Sequence, residues 1–95
     1  MLGNIEYGSQ LVFSSMKKFE GLSQKGLTQG RTSTKDMFDC MNTVKEGIAI
    51  LEQAQKDEPN NYKLANTLQF AKTFKALGDL TCRGIKTWQR ITGQT

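Results

Sequence analysis

The sequence predicts an all-α fold in which an antiparallel helical hairpin is joined by an additional N-terminal helix. Apolar residues recur every three or four positions in three separate segments, which is the spacing of one face of a helix. The single proline of the chain stands in the polar stretch Asp57-Glu58-Pro59-Asn60-Asn61, which is typical of a turn between two helices. We therefore expect the 95 residues to form one helical domain.

The first helix is predicted at about residues 4–20. Its apolar stripe consists of Ile5, Val12, Met16 and Phe19, with Leu11 and Phe13 on the flanks. From Gly21 onward the composition changes to Gly, Ser, Thr, Gln and Lys, which favours a loop or flexible linker over residues 21–34. Within this linker, Leu22 and Leu27 are the residues that would pack if a partner were bound.

The second helix is predicted at about residues 35–57, with Ser33 or Thr34 as its N-cap. Its inward positions are Met37, Cys40, Met41, Val44, Ile48 and Leu51. Residues 58–60 form the turn, because Glu58 precedes the proline and so leaves the helical conformation. A turn this short makes the second and third helices antiparallel neighbours.

The third helix is predicted at about residues 61–92, after an N-cap at Asn60 or Asn61. Its inward stripe consists of Leu64, Leu68, Ala71 and Phe74, and continues through Ile85 and Trp88. Gly78 and Gly84 each cost about 1 kcal/mol relative to alanine inside a helix. A helix end at Gly78 would instead divide this segment and give a four-helix arrangement.

The composition argues against catalysis. The chain has no histidine, which removes the usual general base at neutral pH and every Ser-His or Cys-His pair. Its two cysteines are too few and too far apart for a zinc site. We therefore expect a protein that is not an enzyme, with no catalytic residue, no cofactor and no metal. A hydrophobic content of 37% supports one modest core, which partner subunits would complete.

The sequence also indicates where the chain is expected to reside. No apolar run approaches the eighteen or more residues that a membrane span requires. Residues 1–6 lack the basic and apolar regions of a signal peptide. We therefore expect no transmembrane segment, and either a cytoplasmic protein or one exported without a cleaved signal.

One face of the third helix is strongly basic. This basic face consists of Lys72, Lys75, Arg83, Lys86 and Arg90, with Asp79 among them. The ordinary interpretation is a solvated face whose long side chains cover apolar neighbours. The functional interpretation is a surface for nucleic acid, an acidic membrane or an acidic partner. No aromatic residue alternates with the cations, and Asp79 suits an ion pair between subunits, so protein assembly is favoured over nucleic acid.

A second surface is predicted where apolar residues fall outside the inward stripe. This candidate assembly interface consists of Phe70, Leu77, Leu80 and Trp88. Leu80 projects away from the stripe of Leu64 to Ala71, so the first helix or another subunit must cover it. Trp88 is either packed in the core, the commoner case, or an interface anchor.

The two cysteines lie at similar heights in the predicted hairpin. Counted from the turn, Cys40 and Cys82 differ by about 6 Å at 1.5 Å per residue, near the limit of disulfide reach. Both lie on inward stripes. We expect two buried, reduced thiols, with a disulfide as the alternative.

Three neighbouring segments form a pattern: Gly47-Ile48-Ala49-Ile50-Leu51, the turn Lys56-Asp57-Glu58-Pro59-Asn60-Asn61, and Leu64-Ala65-Asn66-Thr67-Leu68-Gln69. This pattern resembles the needle and inner-rod subunits of type III secretion systems. The stretch Ala76-Leu77-Gly78-Asp79-Leu80-Thr81-Cys82-Arg83 also resembles the inner-rod pattern of small residues before an arginine. The likeness covers about residues 44–91. It implies a subunit that is exported without a signal and polymerises into a tube.

The chain departs from that family in three ways. The usual second proline after the turn is replaced by Asn61-Tyr62, the C-terminus is not strongly apolar, and two cysteines are present.

Taken together, these patterns predict a small non-enzymatic protein that acts through protein–protein assembly, with self-association favoured over a foreign partner. The alternative is an anion-binding module that uses the basic face on nucleic acid or an acidic membrane or partner. An inhibitor or chaperone of another protein is a third possibility that the sequence does not separate from the first.

Overall fold

A computed structural model describes residues 3–29 and 34–93, which form three α-helices: α1 (Asn4–Gln29), α2 (Thr34–Asp57) and α3 (Tyr62–Thr92). Each helix runs antiparallel to the next, and α2 packs against both of the others. The bundle is elongated, with principal extents of 48 × 23 × 17 Å. The predicted all-α fold is confirmed.

The prediction for the end of the first helix is wrong. α1 continues through Gly21 to Gln29, so residues 21–29 are helical and not part of a linker. Leu22 explains the extension, because it packs, partly buried, against the cluster that contains Phe19 and Met37. This apolar contact offsets the low helix propensity of glycine. Of the rest of the predicted linker, residues 30–33 lie outside the described residues, and Thr34 is the first residue of α2.

The turn between α2 and α3 follows the sequence signals closely. The backbone N–H of Glu58 donates to the Ala54 carbonyl at 3.1 Å, and that of Asn61 donates to the Glu58 carbonyl at 3.1 Å. Asn61 has an extended backbone (φ −80°, ψ 96°), and its side-chain oxygen accepts a hydrogen bond from the Leu64 N–H at 3.0 Å. Asn61 is therefore the N-cap that starts α3.

α3 is continuous through Gly78, so the alternative of a fourth helix starting there is wrong. A side chain at this position would collide with α2, because an added Cβ would lie 2.5 Å from the Met41 methyl carbon. Gly78 thus allows Met41 to lie against the backbone of α3. The helix ends at Gly93, whose left-handed conformation (φ 71°) is one that glycine adopts readily.

The core consists of two clusters at different heights in the bundle. The first cluster, toward the α2–α3 turn, contains Val12, Met16, Val44, Ile48, Leu51, Ala54, Leu64, Leu68 and Ala71. The second cluster, toward the opposite end, contains Phe19, Met37, Cys40, Met41 and Cys82. Leu51 and Leu68 are both buried in the first cluster, as the predicted hairpin requires.

α1 packs more closely on α2 than on α3. α1 lies directly on α2 where Gly8 meets Gly47, since a Cβ added to Gly47 would stand 2.8 Å from the Gly8 carbonyl oxygen. α1 and α3 meet through aromatic rings. The Phe19 and Phe74 rings pack edge to face at 5.6 Å, and the Phe13 and Phe70 rings lie 6.2 Å apart. α3 therefore packs on the α1–α2 pair and leaves its far side exposed.

Candidate functional site

All four residues of the candidate assembly interface are exposed. Phe70 is 54% exposed, Leu77 60%, Leu80 61% and Trp88 62%, and Ile91 is exposed beside them at 75%. α1 does not cover Leu80, which leaves another subunit as the predicted alternative. Of the large apolar side chains exposed in the described part of the chain, Tyr7 and Phe13 lie on α1 and Tyr62 opens α3, while the others all belong to this cluster.

The core interpretation of Trp88 is wrong. The inward stripe of α3 continues from Phe74 to the half-buried Ile85 but does not reach Trp88. An α-helix rotates by about 20° per seven residues relative to a strict heptad. Trp88 lies two heptads after Phe74 and is therefore rotated by about 40° toward solvent.

From Asn66 onward, α3 has an exposed face without charge. On an ideal helix nine exposed positions of this part fall within one sector of about 100°, and the exposed Lys63 lies in the same sector at the start of the helix. This outer face of α3 consists of Asn66, Phe70, Thr73, Leu77, Leu80, Thr81, Gly84, Trp88 and Ile91. None of the nine carries a charge, and the face runs for about 38 Å at 1.5 Å per residue. A long uncharged strip on an otherwise charged protein is typical of a surface that another molecule covers.

Two of the five cations of the basic face form ion pairs within the molecule. Lys72 pairs with Glu52 of α2 at 3.5 Å, and Lys75 pairs with Asp79 at 2.9 Å. Asp79, expected to suit an ion pair between subunits, therefore has a partner on its own helix. The Lys86 ammonium stands 5.1 Å from the centre of the Phe38 ring.

The remaining two cations of the basic face, Arg83 and Arg90, are exposed. Neither forms a salt bridge among residues 3–29 and 34–93. The spacing places all five cations on one side of α3, as predicted, but only these two extend into solvent without an intramolecular partner.

A groove between α2 and α3 adds a cation that the sequence analysis missed. The groove has a volume of about 490 Å³. Its lining consists of Phe38, Met41, Asn42, Lys45, Asp79, Cys82, Arg83 and Lys86. Lys45 comes from α2 and follows Met41 by four residues, so it stands one turn further along the side that faces α3. The four-residue spacing from the inward-facing Met41 is the signal that could have placed Lys45 on the side of α2 that faces α3.

Cys40 and Cys82 are both free and buried, as expected. Burial raises the pKa of the Cys40 thiol. Burial also raises the pKa of the Cys82 thiol, with a further increase from Asp79 that is opposed by Lys86 and Lys45. Because the thiolate is the reactive form, both thiols are poor nucleophiles near neutral pH.

The open side between α1 and α3 contains a second, smaller groove of about 300 Å³. It is lined by Phe19, Glu20, Ser23, Gln24 and Phe74. The hydroxyl oxygen of Ser23 is buried there and has no hydrogen-bond partner among the residues that the structure describes. A buried hydroxyl without a partner costs free energy, so Ser23 lowers the stability of this part of α1.

The described residues contain neither a metal-binding cluster nor a membrane-spanning helix. Within residues 3–29 and 34–93 no group of three or more Cys, Asp or Glu side chains is arranged to hold a metal ion. No helix in the same ranges is long and apolar enough to cross a membrane.

No protein family matches the chain, and no curated protein or solved structure is significantly similar to it. The resemblance of residues 44–91 to secretion needle and inner-rod subunits therefore stays a prediction.

Proposed function

We propose that this protein is a non-enzymatic assembly subunit that associates with further copies of itself through the outer face of α3. The supporting observation is the exposure of four large apolar side chains, Phe70, Leu77, Leu80 and Trp88, on one uncharged face. Fully burying a side chain such as leucine contributes about 1.5–3 kcal/mol. Covering this face would therefore provide a substantial driving force for association.

The distribution of charge permits a second copy as the partner. Each chain carries a net charge of +4, so two copies repel one another over long distances. The outer face itself is uncharged, and Lys72, Arg83 and Arg90 lie about a third of a turn away around α3. Two copies can thus bury their outer faces while their cations remain in solvent.

The proposal is tested by Leu80→Glu. Because Leu80 is 61% exposed in the single chain, the substitution should change the stability of the monomer by only about 0.5 kcal/mol. In an assembly it would place a carboxylate in an apolar interface, so self-association should fall sharply. Sedimentation velocity over a range of concentrations measures the association, and circular dichroism measures the helical content.

Gln53→Glu is the matched control, since Gln53 is exposed on α2 and gains the same charge. It should leave self-association unchanged. Equal association of Leu80→Glu and the wild type would show that the outer face of α3 is not the interface. A wild type that stays monomeric at every concentration would refute self-assembly altogether.

The resemblance to needle and inner-rod subunits gives the proposal a more specific form, a helical polymer. The Pro59 turn and the exposed outer face of α3 are the features that support it. Electron microscopy of concentrated protein tests this form, because a polymer appears as filaments of uniform width. Closed dimers would support assembly without the needle-type architecture.

Anion binding by the basic face is the second candidate, supported by Arg83 and Arg90, which are exposed and lack ionic partners among the described residues. The double variant Lys72→Glu, Arg83→Glu would reverse charge on this face. Retention of a wild-type monomer on heparin at low salt, lost in this variant, would favour anion binding over assembly.

A further inference from the structure

We propose that the groove between α2 and α3 is a binding site for a small amphipathic anion, a phosphate or carboxylate attached to a flat apolar group. The site is separate from the outer face of α3 and does not depend on self-assembly. Its volume of about 490 Å³ falls within the range of small-molecule sites in proteins.

The charges around the groove suit an anion. Lys45 approaches from α2, and Arg83 and Lys86 approach from α3. Asp79 is the only acid in the lining, and Lys75 holds its carboxylate at 2.9 Å. The lining therefore contributes three cations whose charge the single acid does not offset.

The three cations lie around one groove, Lys45 on α2 and Arg83 and Lys86 on α3. Lys45 and Lys86 belong to different helices, yet both lower the pKa of the same buried thiol, Cys82. Cys82 lies in the groove lining. A set of cations around one groove suits one compact anionic group, whereas a nucleic-acid backbone or a membrane surface requires cations spread over a longer distance.

The apolar part of the lining suits the remainder of the ligand. Met41 is buried and Phe38 is partly buried, and both line the groove beside the cations. Lys86 stands over the Phe38 ring at 5.1 Å, so an anionic group that meets Lys86 would bring its attached apolar group close to the ring. Asn42 adds an amide that can donate a hydrogen bond to the anion.

The test uses three probes that separate the two halves of the ligand: 1-naphthyl phosphate, 1-naphthol and inorganic phosphate. We expect 1-naphthyl phosphate to bind at least about tenfold more tightly than either of the other two, because only it can use both the cations and the apolar lining. Titration calorimetry gives the affinities. The NMR signal of the Met41 methyl group, at the floor of the groove, reports binding at this site.

The double variant Arg83→Gln, Lys86→Gln should weaken 1-naphthyl phosphate binding at least about tenfold while the helical content stays unchanged. Lys17→Gln, Lys18→Gln is the matched control, because it removes two exposed cations from α1 and should bind like the wild type. Leu80→Glu should also bind normally, which separates this site from the assembly interface.

Three results would overturn the proposal. One is no binding of 1-naphthyl phosphate at millimolar concentration. Another is equal affinity for naphthol or inorganic phosphate, which would mean that the groove does not recognise an amphipathic anion. The third is weakened binding in Leu80→Glu with no change in the groove variant, which would place the probe on the outer face of α3.

Discussion

Single residues decide how the second core cluster is packed. Gly78 has no side chain, and so Met41 can lie against the backbone of α3. Cys40 and Cys82 fill the same cluster from facing helices. The sequence predicted their burial from helical spacing. It could not predict the role of Gly78, because that role depends on where Met41 of another helix is placed.

The raised thiol pKa values lead to a pH-dependent prediction. Burial is the largest cause of the increase at both Cys40 and Cys82. Both thiols should react slowly with iodoacetamide at pH 7, and the reaction should accelerate at higher pH than in the urea-unfolded chain. Equal rates for the folded and unfolded chain at every pH would contradict the burial of the two thiols.

The same shift affects stability. A group that is protonated more readily in the folded state stabilises it fully at a pH below the pKa of the unfolded chain. That contribution is lost as the pH rises through the folded-state pKa. The free energy of unfolding should therefore fall at alkaline pH more steeply in the wild type than in Cys40→Ser, Cys82→Ala, as urea titrations at several pH values would show.

At the scale of helices, the residues of the α2–α3 turn predict the start of α3 correctly. The residues after Phe19 do not predict the end of α1. Pro59 and Asn61 define the turn by their own chemistry, a restricted backbone and a capping side chain, so the hairpin could be predicted. Gly21 predicted a helix end, but α1 continues beyond it because Leu22 packs against the second core cluster. Glycine weakens a helix by an amount that a tertiary contact can exceed.

The crossing of α1 and α2 gives a prediction at this scale. Gly47→Ala would place a methyl group 2.8 Å from the Gly8 carbonyl oxygen and 2.7 Å from a methyl of Val12. Because the obstacle includes backbone, the two helices must move apart, and we expect a loss of about 1–3 kcal/mol in the free energy of unfolding.

Gly21→Ala is the control for Gly47→Ala, and its expected effect on stability is opposite. It is also in a helix, but nothing lies within 4 Å of an added Cβ, so the better helix propensity of alanine should stabilise the protein by up to about 1 kcal/mol. Thermal unfolding compares the two variants. The explanation of the crossing would fail if Gly47→Ala were as stable as Gly21→Ala.

At the scale of the whole molecule, the candidate surfaces were only partly predictable. The spacing of residues placed Phe70, Leu77 and Leu80 away from the hairpin core, and all three are exposed. It could not show that Lys72 reaches Glu52 or that Lys45 joins Arg83 in a groove, because each depends on how α2 and α3 are aligned. Which residues pair between two helices depends on how the helices are aligned. The periodicity of a single helix gives no information on that alignment.

The unequal packing of the three helices has a consequence for how the molecule opens. α1 and α2 are joined by direct backbone contact at Gly8 and Gly47, whereas α1 and α3 meet through the rings of two phenylalanine pairs. α2 also packs less extensively on α3 than on α1. The weaker attachment should let α3 detach from the α1–α2 pair at a lower free energy than global unfolding requires. Backbone amides of α3 should then exchange with deuterium sooner than those around Val12 and Val44. Binding of a second copy to the outer face of α3 would tether the most loosely held helix, so assembly would slow this exchange.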